Sequence, residues 1–413
     1  MTHEHRHRTI TRSAKRGSSM SDKQQLVTTG DTMTDAGAAV TPFTVRFDPA
    51  EIDELRARLS RTRWPVEPTG TGADWGMPAA TVRAWADRWR DGFDFDAAQR
   101  RLNAFPQFTT QLEGQTMHFW HVRSSEPGAL PLVLMHGWPA TVLEFEHVVG
   151  LLTEPAAHGA PGAPAFHVVV PSAPGFGFGG PTTGLGWDAA RHARVTAELM
   201  RRLGYARWGA AGKDIGALTG RELGALAPDG LVGVHLMQVF AFPTGDPGER
   251  ARLTDADLAS LSTGSTAEFR SKAGYQSIHQ TRPQTLAYAL EDSPAGLLAW
   301  NAELWSGFGE YAAYVDVDSY LTHLSVYWFT RTAGSAARSY RENSLTGAGY
   351  RDVPVSVPTA VAVFPQDFRT IRACVERSMN LVRYTEMPSG GHFAYQTDPE
   401  LIVADLREFF AGL

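Results

Sequence analysis

Gly212-Lys213-Asp214-Ile215-Gly216 sets an acid between two glycines, each two residues away. A nucleophile carried on a sharp, strained strand-to-helix turn needs small residues at those two positions. With aspartate in the middle, the nucleophile is a carboxylate, whose product with an electrophilic carbon is an ester. The same spacing recurs at Gly72-Ala73-Asp74-Trp75-Gly76, so the pattern alone does not select. Asp214 has a short apolar piece before it (206–211) and helical text behind it (218–223), whereas Asp74 lies in a Pro/Gly/Thr-rich connector. Context selects Asp214. No serine has glycine at both positions two residues away, which disfavours a serine nucleophile on such a turn.

Three further loops bear on that carboxylate. Gly390-Gly391-His392-Phe393 follows an apolar run at 381–384 and precedes a helical pattern at 399–410. Of 14 histidines only His392 sits in a Gly-flanked loop at the end of the final apolar run. A lone histidine is ordinarily structural; behind a nucleophile it becomes the candidate base. Phe364-Pro365-Gln366-Asp367 ends the run 359–364, and Asp367 there can orient and charge-stabilise a histidine. Its other reading is the N-cap of a helix over 370–377. His136-Gly137-Trp138-Pro139 follows the run 132–135, where Gly and Pro permit a tight turn whose N–H groups converge on an anion. The chain order is nucleophile, acid, histidine, which is the α/β-hydrolase order.

These loops need a scaffold that brings strand ends together. Short continuous apolar runs at 132–135, 166–170, 231–237, 359–364 and 381–384, separated by helical stretches, predict a parallel sheet covered on both faces. Ligands of such sheets sit outside the carboxyl ends of the strands. The strand rhythm stops between about 242 and 343, where Tyr- and Trp-rich helical patterns such as 283–290 and 320–329 predict a helical insertion. Upstream, Ile52, Leu55 and Leu59 mark an amphipathic helix begun by Asp48-Pro49; Val82, Trp85 and Trp89 mark a second, and 116–122 alternates as a strand. The expected fold class is α/β: a mostly parallel central sheet with a helical cap inserted and an N-terminal helical extension. The divisions are 1–40, a disordered tail; 41–125, the N-terminal region; 126–241 and 346–413, the two parts of the core; and 242–345, the cap.

Composition sets the outer limits. The chain is 43% apolar and 20% charged, with a net charge of −6 and no long basic block, so nucleic-acid binding is not expected. Its one cysteine, Cys374, excludes an internal disulfide framework and cysteine-ligated metal clusters. Apolar runs are strand-sized, no secretory h-region opens the chain, and no membrane association is expected. Met20 and Met33 are alternative starts. Only four of the basic residues are lysine, a bias expected of a GC-rich bacterial gene. The expected compartment is the cytoplasm.

From about Pro42 to Leu413 the sequence resembles the epoxide hydrolases of the microsomal type, in a soluble bacterial form. The resemblance lies in 43–64, the stretch Arg101-Leu102-Asn103-Ala104-Phe105-Pro106-Gln107-Phe108, the His136-Gly137-Trp138-Pro139 loop, Pro171-Ser172-Ala173-Pro174-Gly175-Phe176-Gly177-Phe178 and the final Gly-Gly-His-Phe. It implies hydration of an epoxide to a vicinal diol, in detoxification or secondary metabolism, without cofactor or metal. Asp214 would be the nucleophile, His392 with Asp367 the water-activating pair, and the N–H groups of Trp138 and Ile215 the oxyanion hole. It further implies two cap tyrosines that hydrogen-bond the epoxide oxygen. Gly274-Tyr275-Gln276 and Ser339-Tyr340-Arg341 look like their motifs, giving Tyr275 and Tyr340, with Tyr311, Tyr314 and Tyr320 as competitors. Without the resemblance, cap–core packing is the better reading of either tyrosine. Apolar, aromatic text in the cap suggests a bulky or aryl epoxide, and a homodimer stays open. The chain departs from the family at Lys213, where glycine is common, at Ile215, where tryptophan is frequent, and at Asp367, where many relatives have glutamate. Lys213 places a cation beside the carboxylate, lowering its pKa and nucleophilicity, or else points to solvent. A dehalogenase would share the Asp and His but needs halide donors and has no use for paired tyrosines. A non-catalytic binder would need no complete Asp214, Asp367, His392 set.

Overall fold

A computed structural model describes residues 39–264, 273–306 and 316–413. Residues 1–38 of the proposed tail 1–40, and the competitors Tyr311 and Tyr314, lie outside the described residues.

The apolar runs become the middle of a nine-stranded sheet. Its strands are β1 (Thr41–Pro42), β2 (Gln107–Leu112), β3 (Gln115–Val122), β4 (Leu130–Met135), β5 (Phe166–Ser172), β6 (Trp208–Lys213), β7 (Leu231–Met237), β8 (Val355–Val363) and β9 (Met379–Glu386). Their spatial order is β1-β2-β3-β5-β4-β6-β7-β8-β9. From β5 to β9 every pairing is parallel, while β1, β2 and β3 add an antiparallel edge that pairs with β5. The helical N-terminal region therefore continues into the central sheet. Val133, Leu134, Val168, Val169, Ala210 and Leu236 are fully buried, as expected of strands covered on both faces. The chain reverses direction across the sheet at β4, which has β5 on one side and β6 on the other. A crevice opens at such a switch point, outside the strand ends.

Asp48 caps α1 (Pro49–Ser60) by accepting the Ala50 N–H at 2.9 Å, with Pro49 in the first turn and Leu55 and Leu59 buried. Next come α2 (Ala79–Asp87) and α3 (Phe95–Leu102). These elements brace the cap against the core. Trp89 Nε1 donates to Ser325 Oγ in the cap at 3.0 Å, and Arg101 pairs with Glu146 of α4 (Glu146–Thr153) while donating to cap Ser319 Oγ at 2.6 Å. After α5 (Ala189–Arg202) and α6 (Ile215–Leu226), the insertion between β7 and β8 contains the helices Gly274–Thr281, Pro283–Asp292, Pro294–Trp305, Val317–Thr330 and Ala333–Thr346. Among the described residues no helix is long and apolar enough to cross a membrane.

Candidate active site

Asp214 stands between the end of β6 and the start of α6, with φ 52° and ψ −124°. An L-residue holds that conformation only where its surroundings enforce it, and the two glycines let them do so. A Cβ on Gly212 would lie 2.2 Å from Gly216 O, and one on Gly216 would lie 2.0 Å from Met135 O. Helix, elbow and neighbouring strand meet backbone to backbone. The decoy Asp74 lies exposed in a single 3₁₀ turn of the connector.

Asp214 Oδ1 accepts the Trp138 N–H at 2.9 Å, so the loop after β4 does aim a backbone donor at an anion. Gly137 must be glycine here, since a Cβ would fall 2.2 Å from that same oxygen. Ile215 opens α6, where first-turn N–H groups lack an intrahelical carbonyl. Burial pushes His136 down to about 4, leaving it neutral, with Nδ1 3.0 Å from Gly137 O.

His392 Nδ1 lies 3.2 Å from Asp367 Oδ1. Burial alone would raise the Asp367 carboxyl, but the His392 charge and hydrogen bond, the Phe368 N–H and Lys213 bring it below its ordinary value. The helix after Asp367 shortens to Arg372–Val375 with Ile371 at its N-cap, so the capping role does not apply. His392 Nε2 is buried with no hydrogen-bond partner among the described residues, and His392 lines a cavity of about 850 Å³. Asp214, Asp367, Tyr275 and Tyr340 line the same cavity, with Phe240, Phe242, Tyr350 and Phe368.

The cap supplies the roof. Trp138 stacks on Tyr275 (centroids 5.0 Å, 20°) and meets Tyr340 edge-on at 6.2 Å, while the two tyrosine rings meet edge to face at 6.1 Å. His279 packs under Trp138 and Tyr340, held by the Trp300 Nε1–H at 2.9 Å. Tyr340 Oη has no hydrogen bond at standard distance among the described residues, although the Tyr275 hydroxyl influences its titration. Burial, then Asp214, raises both phenols well above their ordinary value, so both keep their proton. Tyr320 instead donates to Leu298 O at 2.6 Å, inside the cap.

Three residues escaped the sequence reading. Gln238, just past β7, accepts the Asp214 N–H at 3.1 Å through Oε1 and donates to Asp367 Oδ1 through Nε2 at 2.5 Å. Its Nε2 also lies 2.9 Å from His392 Nδ1, because both nitrogens converge on one carboxylate oxygen. Tyr350 contributes a third phenol to the cavity wall. Glu144 takes up Lys213, which neither rides on the Asp214 carboxylate nor reaches solvent: its ammonium is fully buried against Glu144 Oε1 at 2.5 Å.

Residues 40–145 match the family described as epoxide hydrolase N terminus, and 131–399 match the alpha/beta hydrolase fold. A relative in Stigmatella aurantiaca, provisionally named an epoxide hydrolase, is 39% identical over 91% of this chain and 85% of its own. Epoxide hydrolase 1 of Oryctolagus cuniculus is 31% identical over 90% and 88%. Among solved structures, Aspergillus niger epoxide hydrolase superposes with a TM-score of 0.79 at 29% identity, covering 91% of this chain and 96% of that one. The juvenile hormone epoxide hydrolase of Bombyx mori gives 0.79 at 26%, covering 91% and 94%.

Proposed function

This chain belongs to the epoxide hydrolase family, on the α/β-hydrolase fold, and from that membership we propose that it hydrates a bulky or aryl epoxide through a covalent Asp214 ester. The carrying observation is one cavity lined by Asp214, Tyr275, Tyr340, Asp367 and His392, with His392 Nε2 left without a hydrogen-bond partner among the described residues.

With Oδ1 held by the Trp138 N–H, Oδ2 is the free nucleophile. It attacks a ring carbon, the carbon–oxygen bond of the epoxide breaks, and the developing alkoxide is met by Tyr275 and Tyr340. A phenol can share or give its proton to an oxygen that would otherwise leave as bare alkoxide. His392 Nε2 then takes a proton from water, whose oxygen attacks the ester carbon. Oδ1 becomes the oxyanion, already on the Trp138 N–H, with the Ile215 N–H as second donor; such a donor contributes roughly 10²–10³ in rate. Asp367 steadies the imidazolium through Nδ1. Collapse releases the diol, the proton on His392 restores the one lent to the alkoxide, and Asp214 retains an oxygen from water. The phenols count against a dehalogenase, and the complete Asp214, Asp367 and His392 set on one cavity counts against a mere binder.

The test is one turnover of styrene oxide in ¹⁸O-water, weighing the diol and the Asp214 peptide. Label in the peptide with unlabelled diol is the expected result. Labelled diol with an unlabelled peptide means direct hydration and removes Asp214 as nucleophile. Turnover of small aliphatic epoxides equal to that of aryl ones would remove the substrate preference, which rests on Phe240, Phe242, Phe368 and Tyr350 in the wall.

A further inference from the structure

Lys213 immediately precedes the proposed nucleophile yet makes none of the contacts that ring opening uses. Its ammonium lies 2.5 Å from Glu144 Oε1, with both side chains fully buried, and donates to the backbone carbonyl of His392 at 2.8 Å. It also sits 4.2 Å over the Phe393 ring, and that ring stacks on cap Trp305 at 3.9 Å and 8°. Glu144 comes from the turn Val142–Phe145, which continues the loop carrying Trp138. One cation thus ties together the elbow strand, the oxyanion loop and the histidine loop.

We propose that Lys213, through Glu144, is a positioning residue for ester hydrolysis: it fixes the backbone at His392 and so the approach of water to the Asp214 ester. The inference rests on the two-step reading above. An ammonium has three donors and no acceptor, and burying it is costly unless it is paired and hydrogen-bonded. A methionine of similar length would fill the same space without that cost, but would make neither of the two polar contacts of the ammonium. What it holds is specific. The imidazole is anchored through Nδ1 by Asp367, a carboxylate that Gln238 also holds, while Nε2 has no partner among the described residues. The height of Nε2 over the ester therefore follows the backbone at 392, which is where Lys213 donates. Ring opening depends on Asp214, the Trp138 N–H and the phenols, and is held by other contacts.

The test separates the two half-reactions in Lys213→Met and in the double variant Lys213→Met/Glu144→Gln, with His392→Gln as reference. The double variant removes both charges, so no buried carboxylate is left unpaired, and rates are expressed per folded protein. Styrene oxide is mixed under single-turnover conditions, quenched in time, and alkyl-enzyme is weighed as intact protein. Ring opening should stay within about 3-fold of the parent. Ester hydrolysis should slow by on the order of 10²-fold, the scale of an ångström-sized misplacement, so that alkyl-enzyme accumulates as in His392→Gln. If both steps fall by one common factor and no alkyl-enzyme accumulates, the pair only supports the fold and the proposal is overturned. If His392→Gln also traps nothing, the two-step reading itself falls, and the proposal falls with it.

Discussion

Tyr320 and Tyr327 bury their hydroxyls by donating to Leu298 O and Ala140 O, at 2.6 and 2.9 Å. Tyr340 places its own at the cavity wall beside the Tyr275 hydroxyl, with no hydrogen bond at standard distance among the described residues. Replacing both Tyr275 and Tyr340 by Phe should slow ring opening by roughly 10²–10⁴-fold, the span of a lost general acid. Each single replacement should cost less, since one phenol remains. Hydrolysis of an ester already formed should be unaffected, which a single-turnover chase would show; equal loss in both steps would remove the phenols from ring opening. Because burial and Asp214 raise both phenols, ring opening should show no alkaline decline below a pH of about 10. Asp214 and His392 were legible in the sequence because a Gly-flanked acid and a Gly-flanked histidine are rare texts at strand ends. Gln238 was not: an amide at a strand end advertises no chemistry, and its role exists only because three loops converge on it.

The elbow shows how an element, rather than a residue, sets the conformation of the proposed nucleophile. Gly216 faces the Met135 carbonyl, which is backbone and has no rotamer to escape into, with 2.0 Å available to a Cβ. Gly216→Ala should therefore push α6 off β4, destabilise the protein by about 1–3 kcal/mol as overpacking does, and move Asp214 away from the Trp138 N–H. Urea midpoints and single-turnover alkylation measure the two effects. Gly184→Ala is the control: its Cβ would meet nothing within 4 Å, and both quantities should stay at the parent level. A Gly216→Ala protein with parental alkylation would show that the elbow does not depend on this approach. The same element marks where sequence reading blurs. The apolar piece at 206–211 becomes Trp208–Lys213, shifted by two, because the strand carries a buried lysine that reads as its end. Gln107–Leu112 went unseen, since its polar text carries no apolar run and its pairing, to β3 and to the two-residue β1, is visible only in the fold. The helix at 370–377 shrank to one turn, freeing Asp367 for His392.

Over the whole molecule, histidines are buried in each layer. His118 lies in β3, His136 after β4, His192 in α5 and His279 in the cap. Burial lowers His118 and His279 to about 3, and His136 and His192 to about 4. The unfolded chain binds these protons near pH 6.5, while the folded chain refuses them until pH 3–4. Between those limits the unfolded state holds more protons, so stability falls as pH falls. Each histidine contributes a loss of up to about 1.4 kcal/mol per pH unit in that window. Carboxylates held low by partners, such as Asp367 and Asp405, add their share only below the ordinary carboxylate range. The acid limb should thus begin near pH 6.5, and urea midpoints at pH 7.5, 6 and 5 should fall progressively. A midpoint level across those three would show that the histidines are not buried neutral. Since His136 adjoins Gly137 and the Trp138 N–H that holds Asp214, alkylation should fail with the fold rather than before it, and the two acid curves should coincide.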